Sequence, residues 1–245
     1  MRILLRAMFK NSGRGKTVAI VQSNYIPWKG YFDLINSADV FILLDDVQYT
    51  RRDWRNRNQI KTPQGLHWLT IPVNVKSKFT IRICDVTITD PSWAEQHWRT
   101  LVNSYAKAPY FRENSSWVED LYLNNHENSL SKINYTFIKS ICDYLEIYTP
   151  IKWSMDFSTP EEKSQRLASI CRQLDANCYL SGPAAKDYLD VGLFFKETIR
   201  VEWMDYSNYS EYPQLNSPFH QHVSILDLIF NTGKSSKNYL KSFRS

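Results

Sequence analysis

Short apolar runs alternate with longer segments of helical periodicity along most of this chain. Residues 18–22 and 40–44 are almost wholly apolar, which is typical of strands buried on both faces of a sheet. Apolar residues three and four positions apart predict amphipathic helices, most clearly from Leu130 to Leu145. In chain order we predict strand 18–22, helix 30–37, strand 40–44, strands 67–73 and 79–88, helices 93–105, 116–123 and 130–145, strand 147–153, a helix through Leu174, strand 178–181, a helix from about Ala184, strand 199–203 and helix 223–230.

The order of these elements predicts the fold class. Strands alternate with helices at both ends of the chain, which favours an α/β fold with a mainly parallel sheet flanked by helices and an α-helical C-terminal part. No internal repeat or linker interrupts the pattern. We therefore expect a single α/β domain over residues 17–245, with residues 1–16 as an N-terminal extension outside the fold.

Two local signals refine the element boundaries. The segment Thr159-Pro-Glu-Glu162 matches a capping box with proline at the first helical position, so it predicts the start of the next helix. In the predicted strand 79–88 the apolar phase shifts near Cys84, which indicates a β-bulge.

Composition limits the class of protein. Of the 245 residues 43% are hydrophobic and 22% charged, which is ordinary for a globular chain, and the net charge of +5 comes without a long basic tail. This favours a small acidic ligand over a nucleic acid partner. No apolar stretch approaches the ~20 residues that span a bilayer, and we find no signal peptide, so any membrane contact would be peripheral and no transmembrane segment is expected.

The cysteines suggest a reducing compartment. No Cys-x-x-Cys pair occurs, and Cys142 and Cys171 fall on apolar helical stripes, so we expect buried, reduced thiols and a cytoplasmic protein. The sequence His220-Gln-His222 could bind a metal, but no cluster of Cys, His and carboxylates has zinc-like spacing, and we predict no metal site.

The densest polar block of the chain lies between residues 49 and 61. Guanidinium groups bind phosphate or carboxylate through two parallel hydrogen bonds, and Tyr49 and Trp54 could stack on a base or a sugar. Arg55 and Arg57 alternate with asparagine, so in an extended, solvated segment they would project to one side and match a pair of phosphates. The alternative is a solvated charged face. The block comprises Arg51, Arg52, Trp54, Arg55, Asn56, Arg57, Asn58 and Lys61.

Polar residues also follow the strands. Asp45 and Asp46 end an apolar strand, where α/β folds gather ligands, and could hold Mg²⁺ or accept a proton from an amine; the alternative is a turn cap. In the turn before helix 30–37, Gly30 would let backbone amides approach an anion, and Lys29 is a candidate charge partner. The alternative is an aromatic plug. We expect the Tyr25–Tyr31 turn and the Trp54–Lys61 segment to line one cleft.

A second turn after a strand, with Ser181, Gly182 and Lys186, occupies the same kind of position. The candidate catalytic residues are Asp45, Asp46 and Lys29. The candidate substrate-binding residues are Asn24, Tyr25, Trp28, Gly30, Tyr31, Gln48, Tyr49, Arg51, Trp54, Arg55, Asn56, Arg57, Asn58, Ser181, Gly182 and Lys186.

Several motifs together resemble the WbqC-like family, over nearly the whole chain from residue 17 onward. They are Gln22–Asp33, Asp45-Asp-Val-Gln-Tyr49, Trp54-Arg-Asn-Arg-Asn58, Trp68-Leu-Thr-Ile-Pro-Val73, Tyr179–Tyr188 and Ser224–Asn231. The resemblance implies a place in bacterial O-antigen, lipopolysaccharide or other surface-polysaccharide biosynthesis. It also implies transfer of glycine or a related acyl group onto an amino sugar.

A second similarity concerns the fold. Strand, Pro-x-x-Gly turn, helix and strand resemble the Rossmann-like opening of nucleotidylyltransferases and pantothenate-synthetase-like ligases. The turn Pro27-Trp-Lys-Gly30 is one residue shorter than theirs and lacks their two histidines, so their adenylate chemistry does not carry over directly. Lys29 and the arginine block could replace the cationic clamp.

The leading hypothesis is a cytoplasmic N-acyltransferase that attaches an acyl or aminoacyl group to the amine of a nucleotide-linked amino sugar. The arginine block would hold the pyrophosphate. A glycosyltransferase with Mg²⁺ or Mn²⁺ on Asp45 and Asp46 is an alternative, and a non-catalytic sugar-nucleotide binding protein is another. The cofactor stays open between ATP with Mg²⁺ and an acyl donor such as acyl-CoA or a carrier-bound aminoacyl group.

Overall fold

The computed structural model describes residues 15–76 and 80–244, and within them the chain forms seven β-strands and seven α-helices. The strands are β1 Thr17–Val21, β2 Val40–Leu43, β3 Arg57–Thr62, β4 Gly65–Thr70, β5 Ile151–Trp153, β6 Cys178–Ser181 and β7 Arg200–Trp203. The helices are α1 Lys29–Ser37, α2 Trp93–Tyr105, α3 Phe111–Leu123, α4 Leu130–Tyr144, α5 Lys163–Gln173, α6 Val191–Lys196 and α7 Ile225–Thr232. Short 3₁₀ helices occupy Ile83–Asp85, Ser154–Asp156, Pro183–Asp187, Gly233–Tyr239 and Lys241–Phe243.

The chain divides into two compact units, each assembled from three segments. The first unit holds the described residues through Val21, Leu34–Leu44 and Thr149–Asp205, and the second holds Gln22–Asp33, the described part of Asp45–Tyr148, and the described residues from Tyr206 onward. Most of the predicted extension 1–16 lies outside the described residues. Lys16 hydrogen-bonds within the first unit, from its backbone nitrogen to Asn177 Oδ1 (3.0 Å).

The first unit is built on a five-stranded sheet in which every pairing is parallel. The strand order is β5-β2-β1-β6-β7, which is 3-2-1-4-5 in chain order, as in dinucleotide-binding folds. The prediction of an α/β fold with a mainly parallel sheet flanked by helices is thereby confirmed. The order reverses between β1 and β6, and such folds usually bind ligands outside the carboxyl ends of the strands there.

Apolar side chains from strands and helices form the core of the first unit. Val18, Ile20 and Ile42 of the sheet pack with Ile170 of α5 and Phe194 of α6, all buried. Each such side chain contributes about 1.5–3 kcal/mol relative to exposure to water. This burial explains why β1 and β2 are apolar on both faces of the sheet, since all four residues of β2 are buried.

The second unit combines the antiparallel hairpin β3–β4 with helices α2, α3, α4 and α7. Gly65 closes the hairpin opposite Thr62 with φ +113°, a conformation that favours glycine. Tyr25 is enclosed by rings from the helices, and its hydroxyl group pairs with His97 Nδ1 (2.9 Å) and the Tyr122 hydroxyl group (2.7 Å). Burial lowers the pKa of His97 to about 4, so this core histidine is neutral at physiological pH.

The predicted strand 79–88 is wrong over its described residues. The segment forms a 3₁₀ helix, Ile83–Asp85, and isolated bridges. The Cys84 N–H group donates to the Asp45 carbonyl, so it cannot also pair with a neighbouring strand in a regular ladder. Strand β3 was not predicted, since its sequence Arg-Asn-Gln-Ile-Lys-Thr contains a single apolar residue and shows no apolar period. Helix α3 begins at Phe111, five residues before its predicted start.

The start of α5 also differs from the prediction. The N-cap is Glu162, whose carboxylate accepts hydrogen bonds from the backbone nitrogens of Ser164 (3.0 Å) and Gln165 (2.7 Å), so the capping box at Thr159 does not form. These two backbone bonds hold the pKa of Glu162 below its usual value. Helix α6 was not predicted, and the helix expected from Ala184 is the 3₁₀ helix Pro183–Asp187.

The expected helical C-terminal part begins at Ile225 with α7 and continues in the two last 3₁₀ helices. Among the described residues, no helix has both the length and the apolar character that crossing a bilayer requires.

The burial of the cysteines can be tested by labelling. Cys142 and Cys171 are buried free thiols on α4 and α5, as predicted, whereas Cys84 is half-buried. Burial raises the pKa of Cys171 to about 12, which leaves little reactive thiolate at neutral pH. A thiol reagent should therefore modify Cys84 first, and Cys142 and Cys171 only in denaturant, as measured by peptide mass spectrometry. Native labelling of either helical cysteine at the rate of Cys84 would contradict this.

Candidate functional site

The turn after β1 and the segment before β3 run side by side in the second unit. Tyr25 N–H donates to the Trp54 carbonyl (3.0 Å), and Asn58 Nδ2 donates to the carbonyls of Tyr25 (3.1 Å) and Ile26 (3.0 Å). Ile26 has φ +36°, which is strained for a β-branched residue, and Asn58 holds it there. The expectation that the two segments share a cleft is confirmed.

Arg55 is a buried anchor of this arrangement. Its side chain is 9% exposed, and Nη1 donates to the Ser23 carbonyl (3.3 Å) and to Asn24 Oδ1, while Nη2 pairs with Asp53 Oδ2 (3.4 Å). The expected pairing of Arg55 with Arg57 on one solvated face is therefore wrong. The Arg55 guanidinium group binds the protein's own oxygens because the turn folds over it.

Asp45 has a complementary structural role. It is fully buried, and it accepts hydrogen bonds from Ser23 N–H (2.8 Å) and from the Ser131 hydroxyl group. Burial raises the pKa of Asp45, while the bonds from Ser131 and Ser23 and the charge of Arg55 offset part of that rise. Both of its oxygens are occupied, so Asp45 positions the turn, whereas Asp46 is half-buried.

A basic pocket of about 360 Å³ opens beside Arg57, and none of the described residues that line it carries a carboxylate. Its wall is fixed by the Tyr49 hydroxyl group, which donates to Asn56 Oδ1 (2.9 Å), while Asn56 Nδ2 donates to the Ile71 carbonyl (2.7 Å). Four cationic side chains line the basic pocket, one of which, Arg51, donates to the Val75 carbonyl, and this concentration of positive charge favours an anionic ligand. The basic pocket is lined by Tyr49, Arg51, Arg52, Asn56, Arg57, Thr70, Val73, Val75 and Lys76.

An exposed stack joins the basic pocket to a second cavity. The Arg57 guanidinium carbon lies 4.2 Å from the centre of the Trp68 ring, and the Trp68 and Trp54 rings lie 5.4 Å apart at 36°. Trp54 and Trp68 are 39% and 38% exposed. Arg57 Nη2 donates to the Arg52 carbonyl (2.5 Å), which fixes the guanidinium group against the stack.

The second cavity, the aromatic pocket, has a volume of about 240 Å³. The His222 ring lies 4.8 Å from the Trp28 ring at 58°, so the two rings converge. Gly30 serves this packing, since a Cβ atom there would overlap the Trp28 indole. The aromatic pocket is lined by Asn24, Pro27, Trp28, Trp54, Asn58 and His222.

Lys29 lies in an aromatic cage. Its side chain is buried, Nζ donates to the Ser210 carbonyl (3.0 Å), and it lies 5.0 and 5.1 Å from the ring centres of Tyr209 and Tyr212. Burial and, to a smaller extent, the charge of Arg244 lower the pKa of Lys29 to about 8, although the charge of Asp33 opposes the shift. Lys29 is therefore mostly protonated at neutral pH but releases its proton more readily than an ordinary lysine.

The remaining candidate residues divide between buried and exposed positions. Tyr25, Tyr31, Asn58 and Lys61 are buried, and Gln48 is exposed. Ser181, Gly182 and Lys186 lie in the first unit, where Ser181 is buried and Lys186 is exposed.

His222, Lys76 and Trp68 line the pockets or the stack, yet they were not among the candidate substrate-binding residues, and His222 was considered only as a metal ligand. Apolar periodicity along the sequence could not identify His222 or Lys76, because neither residue lies in a helix or a strand. Across residues 15–76 and 80–244, no three His, Cys, Asp or Glu side chains converge in a way that could hold a metal ion.

These features define an α/β protein with a Rossmann-type sheet, a basic pocket and an aromatic pocket. The sequence model of the WbqC-like protein family matches residues 22–239, so the chain belongs to this family, as its motifs suggested. The chain is 48% identical over 229 residues to uncharacterized protein Rv1507c of Mycobacterium tuberculosis (strain ATCC 25618 / H37Rv), covering 94% of this chain and 99% of that protein. No solved structure matches the chain.

Replacing Arg55 should destabilise the protein. Arg55→Ala removes charged hydrogen bonds to buried oxygens, so the free energy of unfolding should fall by about 1.5–3 kcal/mol. Arg52→Ala is the matched control, since the Arg52 side chain is exposed, and should change stability by at most about 0.5 kcal/mol. Urea denaturation measures both, and equal effects of the two variants would refute the anchor role.

The stability contribution of Lys29 should depend on pH. Its folded pKa of about 8 lies below the ordinary 10.5, so between these values the unfolded chain keeps a proton that the folded protein releases. Raising the pH through this window should therefore stabilise the wild type relative to Lys29→Met. Denaturation at several pH values measures the difference, and Lys107→Met, which replaces an exposed lysine, is the matched control. If the difference in unfolding free energy between the wild type and Lys29→Met does not change with pH, the lowered pKa of Lys29 is contradicted.

Proposed function

We propose that this protein is a transferase that attaches an acyl or aminoacyl group, such as glycine, to the amine of a nucleotide-linked amino sugar. The basic pocket is the observation that carries the proposal, because Arg51, Arg52, Arg57 and Lys76 converge there and the part of its lining that the structure describes contains no carboxylate. We place the reaction in the cytoplasm, in O-antigen or other surface-polysaccharide biosynthesis, as the family resemblance implies.

A diphosphate fits the basic pocket better than a single carboxylate does. Guanidinium groups bind phosphate oxygens in pairs, and a diphosphate offers enough oxygens to engage several cations at once. Arg55 is buried against the protein's own oxygens, whereas Arg51, Arg52 and Arg57 line the basic pocket, and the bonds of Arg51 to the Val75 carbonyl and of Arg57 to the Arg52 carbonyl hold two of these guanidinium groups at its wall. The stack of Trp68 and Trp54 beside Arg57 then offers aromatic faces to the groups attached to the diphosphate.

The transfer step needs an activated acyl donor, for which a thioester such as acyl-CoA or a carrier-bound aminoacyl group is the chemical class. The amine nitrogen forms a bond to the acyl carbon, the carbon–sulfur bond breaks, and the nitrogen loses a proton that the leaving thiolate finally takes up. Asp46 is the carboxylate of the pair with exposed surface, so it is our candidate to relay that proton, a role typically worth ~10²–10⁴-fold in rate.

The experiment is a binding screen followed by a transfer assay. Thermal shift with a panel of nucleotide sugars, with and without ATP, identifies the ligand, and mass spectrometry then detects the added acyl mass on the sugar in the presence of thioester donors. Binding without transfer from any donor would favour a sugar-nucleotide binding protein. Chelator-sensitive release of the nucleoside diphosphate would favour a glycosyltransferase.

Arg57 should contribute to ligand affinity through its charge and its fork geometry. Arg57→Ala should weaken nucleotide-sugar binding by about 1.5–3 kcal/mol, and Arg57→Lys should recover only part of this loss. Calorimetric titration measures the affinities, and Arg99→Ala, which removes an exposed arginine from α2, is the control for net charge. Normal binding by Arg57→Ala would show that the basic pocket is not the anion site.

A further inference from the structure

The aromatic pocket presents polar atoms that the protein leaves without partners. Among the described residues, the indole nitrogens of Trp28 and Trp54 and the ring nitrogens of His222 have no hydrogen-bond partner. Arg55 binds the Asn24 amide oxygen, so the Asn24 NH₂ group is the part of that amide left for a ligand. The Asn58 amide nitrogen, by contrast, already donates to two backbone carbonyls, so this side chain only forms part of the pocket wall.

These atoms match a hydroxylated ring. The indole and amide groups are donors, and a neutral imidazole supplies one donor and one acceptor, so the pocket can satisfy several hydroxyl or amine substituents. Indole faces at the same time cover apolar C–H surface. The combination of aromatic walls with unpaired polar atoms is the chemistry of a sugar site.

Size and shape favour a sugar over a nucleobase. The pocket's volume of about 240 Å³ lies below the ≈ 300–1,000 Å³ of sites for drug-sized ligands, so it admits one ring rather than a whole nucleotide. A nucleobase stacks best between parallel faces, whereas the Trp28 and His222 rings meet at 58°.

We propose that the aromatic pocket binds the hexose ring of the nucleotide-linked sugar, with Trp54 against its C–H face and Asn24 and His222 hydrogen-bonded to its substituents. The attachment of that ring to a nucleotide rests on the proposed function. Trp54 contacts Trp68, and Trp68 contacts Arg57 of the basic pocket, so a sugar at Trp54 and a diphosphate at Arg57 are joined across one stack. His222 is the acceptor that recognises an amine or hydroxyl group of the hexose.

The test separates the sugar's contribution from that of the diphosphate. Titration calorimetry compares UDP, GDP and dTDP with their hexose conjugates, and the ratio of the two dissociation constants reports the hexose. In the wild type we expect the hexose conjugate to bind about fivefold more tightly than the nucleoside diphosphate, which corresponds to about one net hydrogen bond. Trp54→Ala should bring this ratio to about one, and His222→Asn should lower it at least about twofold; the ratio isolates the hexose even where a variant also changes the affinity for the nucleoside diphosphate.

Matched controls exclude indirect effects. His220→Asn alters a nearby histidine that does not line the pocket, and Tyr148→Ala removes an exposed aromatic ring elsewhere in the second unit. Both should keep the wild-type ratio. A ratio that Trp54→Ala and His222→Asn leave intact would overturn the hexose site while leaving the basic pocket and the proposed function in place.

The opposite failure is also visible. If no nucleoside diphosphate or conjugate binds the wild type, the proposed function fails, and methyl glycosides of glucosamine and galactosamine then probe the aromatic pocket directly by saturation-transfer NMR. Binding that disappears in Trp54→Ala supports the hexose site on its own. No glycoside binding, or binding unchanged in Trp54→Ala, overturns it.

Discussion

The buried Arg55 guanidinium group is the interaction on which the candidate site depends. Removing a cation from water costs several kcal/mol unless protein oxygens replace its hydration, and here Ser23, Asn24 and Asp53 supply them. Asp45 binds the other side of the same turn by accepting Ser23 N–H. The turn is thus held between a buried cation and a buried carboxyl group, and it carries Asn24, Pro27 and Trp28 of the aromatic pocket.

This arrangement divides the polar block into two kinds of residue. Asn58 and Lys61 are buried, and their side chains donate hydrogen bonds to backbone carbonyls, so they stabilise the fold. Arg51 and Arg52 are exposed, and Arg57 is half-buried against Trp68, so these cations face the space where an anion can bind. Because the buried residues hold the segment in place, the more exposed ones can serve recognition.

Sequence patterns predicted the sheet of the first unit well, because β1, β2 and β6 are buried and their apolar runs are continuous. They missed β3, whose buried residues include Asn58 and Lys61, since periodicity counts apolar side chains and not hydrogen-bonded polar ones. The composition of the polar block indicated a basic surface. It could not show that Arg55 is buried and Arg57 is partly exposed, because both arginines stand beside asparagine in the same polar stretch. His222 lies far from the other pocket residues in sequence, and only the folded structure brings its ring next to Trp28.

The threading of the chain has a consequence for the order of folding during synthesis. Strand β5 pairs with β2, with Phe41 opposite Ile151, yet the hairpin and helices α2, α3 and α4 are all translated between them. The sheet therefore cannot be completed until most of the second unit has left the ribosome, and β1 and β2 must wait with an unpaired apolar edge. Long-range parallel pairing of this kind folds slowly and leaves nascent chains open to aggregation, so this protein should be a natural client of chaperones that shield such edges.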